Sequence, residues 1–321
     1  MMSAPVIDKP KLGISACLLG AEVRFNGGHK ESRLCTQALS EYFDFVPACP
    51  EVAIGMGIPR EPIRLVGDPV NPQAVGTVNR ELNVTRALAD YGLHMAGEMD
   101  DICGYIFMQK SPSCGLERVK VYRENGAPVD GGGRGIYAQT FCASQPDLPV
   151  EEDGRLNDAV LLENFVTRVF AYAAWQKLLK DGVTRRALSE FHSRYKYQLM
   201  ASNPQQYKVL GNMLGSMGRS DPNEIAPRYF SQLMAALKKC ATRSTHTNVL
   251  QHLSGYLKNH LDTEDKQEIQ RLISQYHQGI VPLIVPLTLL KHHFRQHPDP
   301  YIALQVYMQP HPENLSLRNA I

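Results

Sequence analysis

What this 321-residue sequence lacks narrows its function before any motif is found. It has no apolar run that reaches the roughly 20 residues of a membrane-spanning helix. The longest apolar stretch, residues 279–290, is broken by Pro282 and Pro286. Its first residues include Pro5, Pro10 and charged side chains but no apolar core of a secretory leader, so a cytoplasmic protein with no membrane partner is expected. Neither GxGxxG nor GxxxxGK(S/T) occurs, which leaves no fingerprint for a nicotinamide or flavin cofactor or for a nucleoside triphosphate. CxxC and HExxH are also missing, and with them the usual spacings of structural and catalytic zinc sites. Seven cysteines is an odd number, which speaks for thiols or metal ligands rather than a disulfide framework.

The net charge of +2 hides an asymmetry. Residues 1–153 hold 14 Lys and Arg against 20 Asp and Glu, whereas residues 154–321 hold 20 against 12 and nine of the eleven histidines. An acidic half joined to a basic half is compatible with a polyanion meeting the second, or with an ordinary charged surface.

The two halves also differ in pattern. In the first, short apolar runs alternate with helix-like segments, which predicts an α/β domain over 1–145 with a largely parallel, Rossmann-like sheet. Helices are expected over 34–42 and 79–99, and a strand over 119–122. Gly131–Gly135 reads as a flexible connection, and the Pro- and acid-rich stretch 146–155 as a linker. Beyond it, residues 156–321 predict an all-α domain, with helices near 156–179, 185–200, 205–217, 225–242, 246–261, 264–277 and 284–296.

Three apolar runs each end at a cysteine: 12–16 at Cys17, 43–48 at Cys49 and 105–108 at the loop Lys110-Ser111-Pro112-Ser113-Cys114-Gly115. If those strands are parallel neighbours, the three thiols converge at the carboxyl edge of the sheet, where open α/β sheets place ligands. Three thiolates suit zinc or an iron–sulfur cluster and leave one coordination position open. Cys35, Cys103, Cys142 and Cys240 read as structural. Glu51 and Ser111 flank two of the three cysteines, a carboxylate able to activate water and a hydroxyl able to relay a proton, although Glu51 could equally cap a helix or pair with Arg60.

Ser15-Ala16-Cys17-Leu18-Leu19-Gly20 with Val23–Gly27, then Cys49-Pro50-Glu51 through Gly57-Ile58-Pro59-Arg60, then Lys110–Gly115 together resemble the thiouracil desulfidase family over about residues 11–145. Phe25-Asn26 stands where stand-alone members often carry Tyr-Asp. The resemblance implies a [4Fe-4S] cluster on Cys17, Cys49 and Cys114 with one iron open, Glu51 and Ser111 as catalytic groups, and Arg24, Asn26, Arg60 and Ser113 as substrate-binding groups. Residues 248–252, 255–258 and 282–286 resemble a YbgA-type helical domain, and the fusion is similar to the RudS group of bacterial desulfidases that convert 4-thiouridine in tRNA to uridine. That implies tRNA as partner, release of sulfide with a possible acceptor, a reaction without net redox change, and no nicotinamide or flavin cofactor. Arg194, Lys196, Lys258, Lys291 and His292 are the candidate RNA contacts, basic groups interleaved with aromatics. Competing readings are a desulfidase of free thiouracil, a nucleic-acid-binding protein with a structural cluster, and a zinc-binding scaffold.

Overall fold

The computed structural model describes residues 9–218 and 220–321. The chain divides into one compact unit ending at Asn157 and a second from Asp158 to Ile321.

The first unit is built on a four-stranded, wholly parallel sheet of β1 (Lys11–Ser15), β2 (Asp44–Ala48), β5 (Gly104–Phe107) and β7 (Val150–Glu152), in the spatial order β2-β1-β5-β7. The central strands explain their composition. All four residues of β5 are buried, as a strand covered on both faces requires. Pro47, which has no N–H to donate, is tolerated because β2 is an edge strand. Gly13 in β1 faces the Tyr105 ring so closely that a Cβ there would clash with it. Tyr105 and Phe107, two apart and therefore on one face, stack at 4.0 Å between centroids and pack on Tyr137 and Phe141.

A second, three-stranded sheet was not expected from the sequence. β3 (Ile63–Gly67) pairs antiparallel with β4 (Pro72–Gly76) and parallel with β6 (Val121–Tyr122), giving the order β4-β3-β6. The strand expected at 119–122 is therefore shorter and lies in this sheet. The first unit's helices are α1 (Pro50–Ala53), α2 (Thr85–Glu98) and α3 (Ile136–Ser144). Residues 79–84, expected to open α2, instead turn and bridge onto β4 through Asn83. The helix expected at 34–42 is a π-helical turn at Leu34–Leu39. The stretch expected to link the domains contributes β7, because Val150–Glu152 pairs with β5 and buries Glu151 and Glu152. Both carboxylates are occupied: Glu152 accepts the Leu116 and Glu117 N–H groups, and Glu151 pairs with Arg155 at 2.6 Å.

The second unit is helical: α4 (Ala159–Asp181), α5 (Arg185–Ser202), α6 (Pro204–Gly215), α7 (Pro222–Leu237), α8 (Arg243–Tyr256), α9 (Thr263–His277), α10 (Ile284–Gln296) and α11 (Pro300–Ala303). Side-chain caps set many of the starts, as at Asp158, Thr184, Asn203, Asp221, Thr242 and Asp262. One core gathers around Trp175, stacked on Phe230 at 4.7 Å, and another around Leu250, Ile273 and Leu287. Among the described residues no helix is long and apolar enough to cross a membrane.

A buried polar cluster sits in this helical unit. Arg318 donates from Nε to Glu163 Oε1 at 3.1 Å and from Nη1 to the Tyr307 carbonyl, while the Tyr307 hydroxyl meets His246 Nδ1 at 2.8 Å. Burial, with Arg318 nearby, pushes His246 down to about 4, so the ring is neutral when folded. Burial alone would raise the Glu163 carboxyl, but His311 and Arg318 outweigh it and hold it at about 2. The unfolded state therefore binds more protons than the folded one as pH falls, from about 6.5 for His246 and then from about 4.5 for Glu163. Through His246 alone the helical unit is expected to lose about 2 kcal/mol between pH 7 and pH 5. Urea unfolding followed by Trp175, the sole tryptophan, measures it; His246→Phe should flatten the slope in that window.

Candidate active site

The chain-order sequence of strands in the parallel sheet, second-first-third-fourth, puts the topological switch between β1 and β5, where an open sheet leaves a crevice at its carboxyl edge. Cys17 follows β1, Cys49 follows β2 and Cys114 lies in the loop after β5. All three line one cavity of about 450 Å³, together with Arg24, Glu51, Arg60, Ser111 and others. The convergence inferred from three strand-end cysteines is present.

Burial pushes the Cys17 thiol up to about 11, with Cys49 adding to the effect, and pushes Cys49 up as well. Burial pushes the Cys114 thiol well up too, with the Glu51 carboxylate adding to it, against an opposing hydrogen bond with Ser15. Bare, these thiols are protonated at neutral pH, so a soft metal centre binding here displaces protons. Among the described residues no three His, Cys, Asp or Glu side chains meet closely enough to hold a single metal ion. Three cysteines on a cluster each hold a different iron, so they need a common cavity rather than a common point. Soft thiols around one cavity fit such a group.

Glu51 sits in the first turn of α1, directly after Cys49. Its Oε2 accepts from Arg60 Nε at 2.8 Å and Nη2 at 2.6 Å, and its Oε1 accepts from the Ser113 hydroxyl at 2.5 Å. A carboxylate offers about four lone-pair sites, so three hydrogen bonds fix its orientation and leave one site on Oε1. Of the two alternatives for Glu51, pairing with Arg60 is therefore real, and it orients the carboxylate without removing it from the cavity. The Ser111 hydroxyl oxygen accepts the N–H groups of Ser113 and Cys114 at 3.2 and 3.1 Å, which shapes the cysteine loop and leaves the hydroxyl proton free to donate.

Two expected substrate contacts belong elsewhere. Ser113 is fully buried, does not line the cavity and spends its hydroxyl on Glu51, so it positions that carboxylate. Asn26 is exposed, lies outside the lining and accepts the Gly28 N–H within its own turn. Arg24 does line the cavity, its guanidinium 5.7 Å from the Phe25 ring. Sequence reasoning missed Phe25, Lys30, Gln109 and Lys110 as lining groups. Lys110 stood inside a motif already singled out, but nothing in its spacing said which way the loop turns.

Gly131–Gly135 is a packing joint, not a free connection. Gly133 pairs with Val119, and Gly135 caps α3 against the Cys114 loop. A Cβ on Gly135 would stand 2.5 Å from the Ser113 carbonyl carbon and 2.8 Å from the Cys114 nitrogen, backbone atoms that cannot yield cheaply. Gly135→Ala is expected to cost about 1–3 kcal/mol and to lower iron incorporation, measured by thermal melting and metal analysis.

The candidate RNA contacts of the second unit are divided. Arg194, Lys258 and His292 are exposed. Lys196 lies 5.0 and 5.6 Å from the Tyr197 and Tyr301 ring centroids. Lys291 is committed to an ion pair with Glu313 at 2.5 Å and a bond to Gln309, so its charge is spent within the fold.

The first unit is thus an α/β domain with one cavity lined by three strand-end thiols and a pinned carboxylate. Residues 12–153 match the 2-thiouracil desulfurase family, and residues 196–312 match a domain family of unknown function, DUF1722. The chain thus joins a 2-thiouracil desulfurase domain match to a YbgA-type second half, and through that half it belongs with the YbgA proteins. The uncharacterized protein YbgA of Escherichia coli (strain K12) is 31% identical over 167 residues, 52% of this chain and 96% of that protein. The uncharacterized protein YbbK of Bacillus subtilis (strain 168) is 29% identical over 159 residues, 45% of this chain and 97% of that one. Among solved structures, the [4Fe-4S]-dependent thiouracil desulfidase TudS is 27% identical, with a TM-score of 0.34, covering 46% of this chain and 94% of its own.

Proposed function

We propose that the protein is a [4Fe-4S]-dependent desulfidase of thiolated uracil, and that its substrate is 4-thiouridine in tRNA. The observation that carries the reading is the cavity itself, in which Cys17, Cys49 and Cys114 share a lining with Glu51 and Ser111. The 2-thiouracil desulfurase family match over 12–153 supports the same reaction class.

Cys17, Cys49 and Cys114 would hold the cluster, which when bound would supply a soft Lewis acid for a thiocarbonyl sulfur. The remaining steps belong to the chain. Arg60 and Ser113 hold Glu51 so that the unused site on Oε1 faces an attacking water and takes its proton. Ser111 donates its hydroxyl proton toward the reacting group while its oxygen stays anchored on two backbone N–H groups. Water adds at the carbon and sulfur departs, so a thiocarbonyl and one water become a carbonyl and hydrogen sulfide, with no net oxidation or reduction. In the second unit, Arg194, Lys196, Lys258 and His292 are proposed to meet RNA phosphates and unpaired bases, in keeping with the basic balance of residues 154–321.

The test is anaerobic. Reconstituted protein is incubated with tRNA containing 4-thiouridine and, separately, with free 2-thiouracil, and sulfide release and loss of the thiocarbonyl absorbance are followed. Turnover of tRNA supports the full reading. Turnover of the free base alone overturns the tRNA assignment and retains the desulfidase, whereas a loaded protein inert toward both overturns the enzyme reading.

A further inference from the structure

The charge around the cavity is opposite to that of the unit containing it. Residues 1–153 carry more acidic than basic side chains, yet four cations line this one cavity, Arg24, Lys30, Arg60 and Lys110, against a single carboxylate, Glu51. Arg60 is consumed by Glu51. Lys30 and Lys110 are exposed, and among the described residues neither forms an ion pair. Three ligating thiolates would match that excess on their own, but the iron–sulfur core they would hold is itself cationic, so the loaded centre would account for only part of it. A neutral pyrimidine base needs none of it.

A second feature is apolar. Phe25 lines the same cavity and is 40% exposed, an unusual position for a phenyl group. The ring is not loosely held, because the Phe25 carbonyl accepts the Arg60 N–H at 2.8 Å and the Arg24 guanidinium lies against it. A fixed, half-open aromatic beside a guanidinium offers a stacking surface for a flat ring, and unpaired cations beside it offer contacts for phosphate.

From this we infer that the cavity lining grips one unstacked nucleotide within an RNA strand: Phe25 and Arg24 stack on its base, and Lys30 and Lys110 take the phosphodiesters that flank it. The inference rests on the proposed function in naming what enters the cavity, and it goes beyond it in placing polynucleotide recognition on the desulfurase domain itself, independent of the helical one. It also gives a physical reading to Phe25: a phenyl ring stacks without offering a polar group that a free base could claim.

The experiment separates this from the desulfidase reading by measuring binding without chemistry. The full-length, cluster-loaded protein is titrated with a fluorescein-labelled hexanucleotide of unmodified uridines over a range of salt, beside uridine and uridine 5′-monophosphate as competitors. The variants are Phe25→Ala and the double change Lys30→Ala with Lys110→Ala. Removing both lysines should weaken hexanucleotide binding at least tenfold and reduce the slope of log K against log salt by about 1.4, two phosphate contacts at about 0.7 each on a single strand. Phe25→Ala should weaken binding by about fivefold or more with an unchanged salt slope, because stacking releases no counterions. Circular dichroism and iron content establish that both variants are folded and loaded. If the double variant binds with wild-type affinity and slope, the inference is overturned; it is equally overturned if the monophosphate competes as well as the strand. If binding behaves as expected while no thiolated substrate is turned over, the nucleotide grip stands and the desulfidase reading falls.

Discussion

Cys114→Ala is expected to give a folded protein that holds no cluster and releases no sulfide. Cys114 is the most buried of the three cavity cysteines, and burial and Glu51 both raise its thiol. On the proposed function, losing this thiolate removes a cluster ligand outright, which costs more than the 10–100-fold typical of removing an outer partner. The change is small in volume, so the cost to the fold is about 1 kcal/mol, and the aromatic cluster of Tyr105, Phe107, Tyr137 and Phe141 remains packed. Cys35→Ala is the matched control. Cys35 is fully buried, outside the cavity, in the turn at Leu34–Leu39. It is expected to lower the melting temperature and leave iron content intact. Equal iron loss in both variants would mean that the cavity cysteines are not special.

Glu51→Gln has the second largest expected effect, of a different kind. The amide oxygen still accepts from Arg60 or Ser113, so the side chain stays near its position, but no base is left to take a proton from water. The turnover number is expected to fall by about 10²–10⁴, the usual contribution of a positioned acid–base group, with cluster content unchanged. The Arg60 guanidinium, whose side chain is only 4% exposed, then loses its carboxylate, so some loss of stability accompanies the loss of rate. An iron-loaded Glu51→Gln variant with wild-type turnover would remove Glu51 from the chemistry and leave it as a structural anchor for the Arg60 loop. Ser113→Ala discriminates further, since it touches Glu51 without lining the cavity. A shift in its pH–rate profile would mark it as a positioning residue, whereas a role in packing alone would leave the profile in place.

Several features were legible in the sequence because they depend on local chemistry. Continuous apolar runs ending at cysteines announce buried parallel strands whose thiols share an edge, and β1, β2 and β5 lie side by side as that pattern requires. The change from period two to period 3.6 announces the helical second half. α10 lies at Ile284–Gln296, where the pattern put it, and α5 runs only two residues further than expected. Other features were not legible. β3 and β4 are five-residue strands, and no periodicity distinguishes them in a region rich in Gly and Pro. β7 hid in an acidic, Pro-flanked stretch because Glu151 and Glu152 are buried, and burial of a carboxylate makes sense only once its partners are known.

By itself the sequence determined the three candidate thiol donors at strand ends, the division into an α/β half and a helical half, and the family resemblance of each half, because each follows from residue type and short-range order. Only the tertiary structure decided which neighbours of those donors face the cavity. Ser111 and Ser113 are two residues apart in one loop, yet one lines the cavity and the other is buried beneath Glu51. Lys30 and Lys110 are 80 positions apart and line the same cavity. Direction and distance across the sheet edge come from strand order and loop turns, which involve residues far apart in the chain, and no local pattern carries that information.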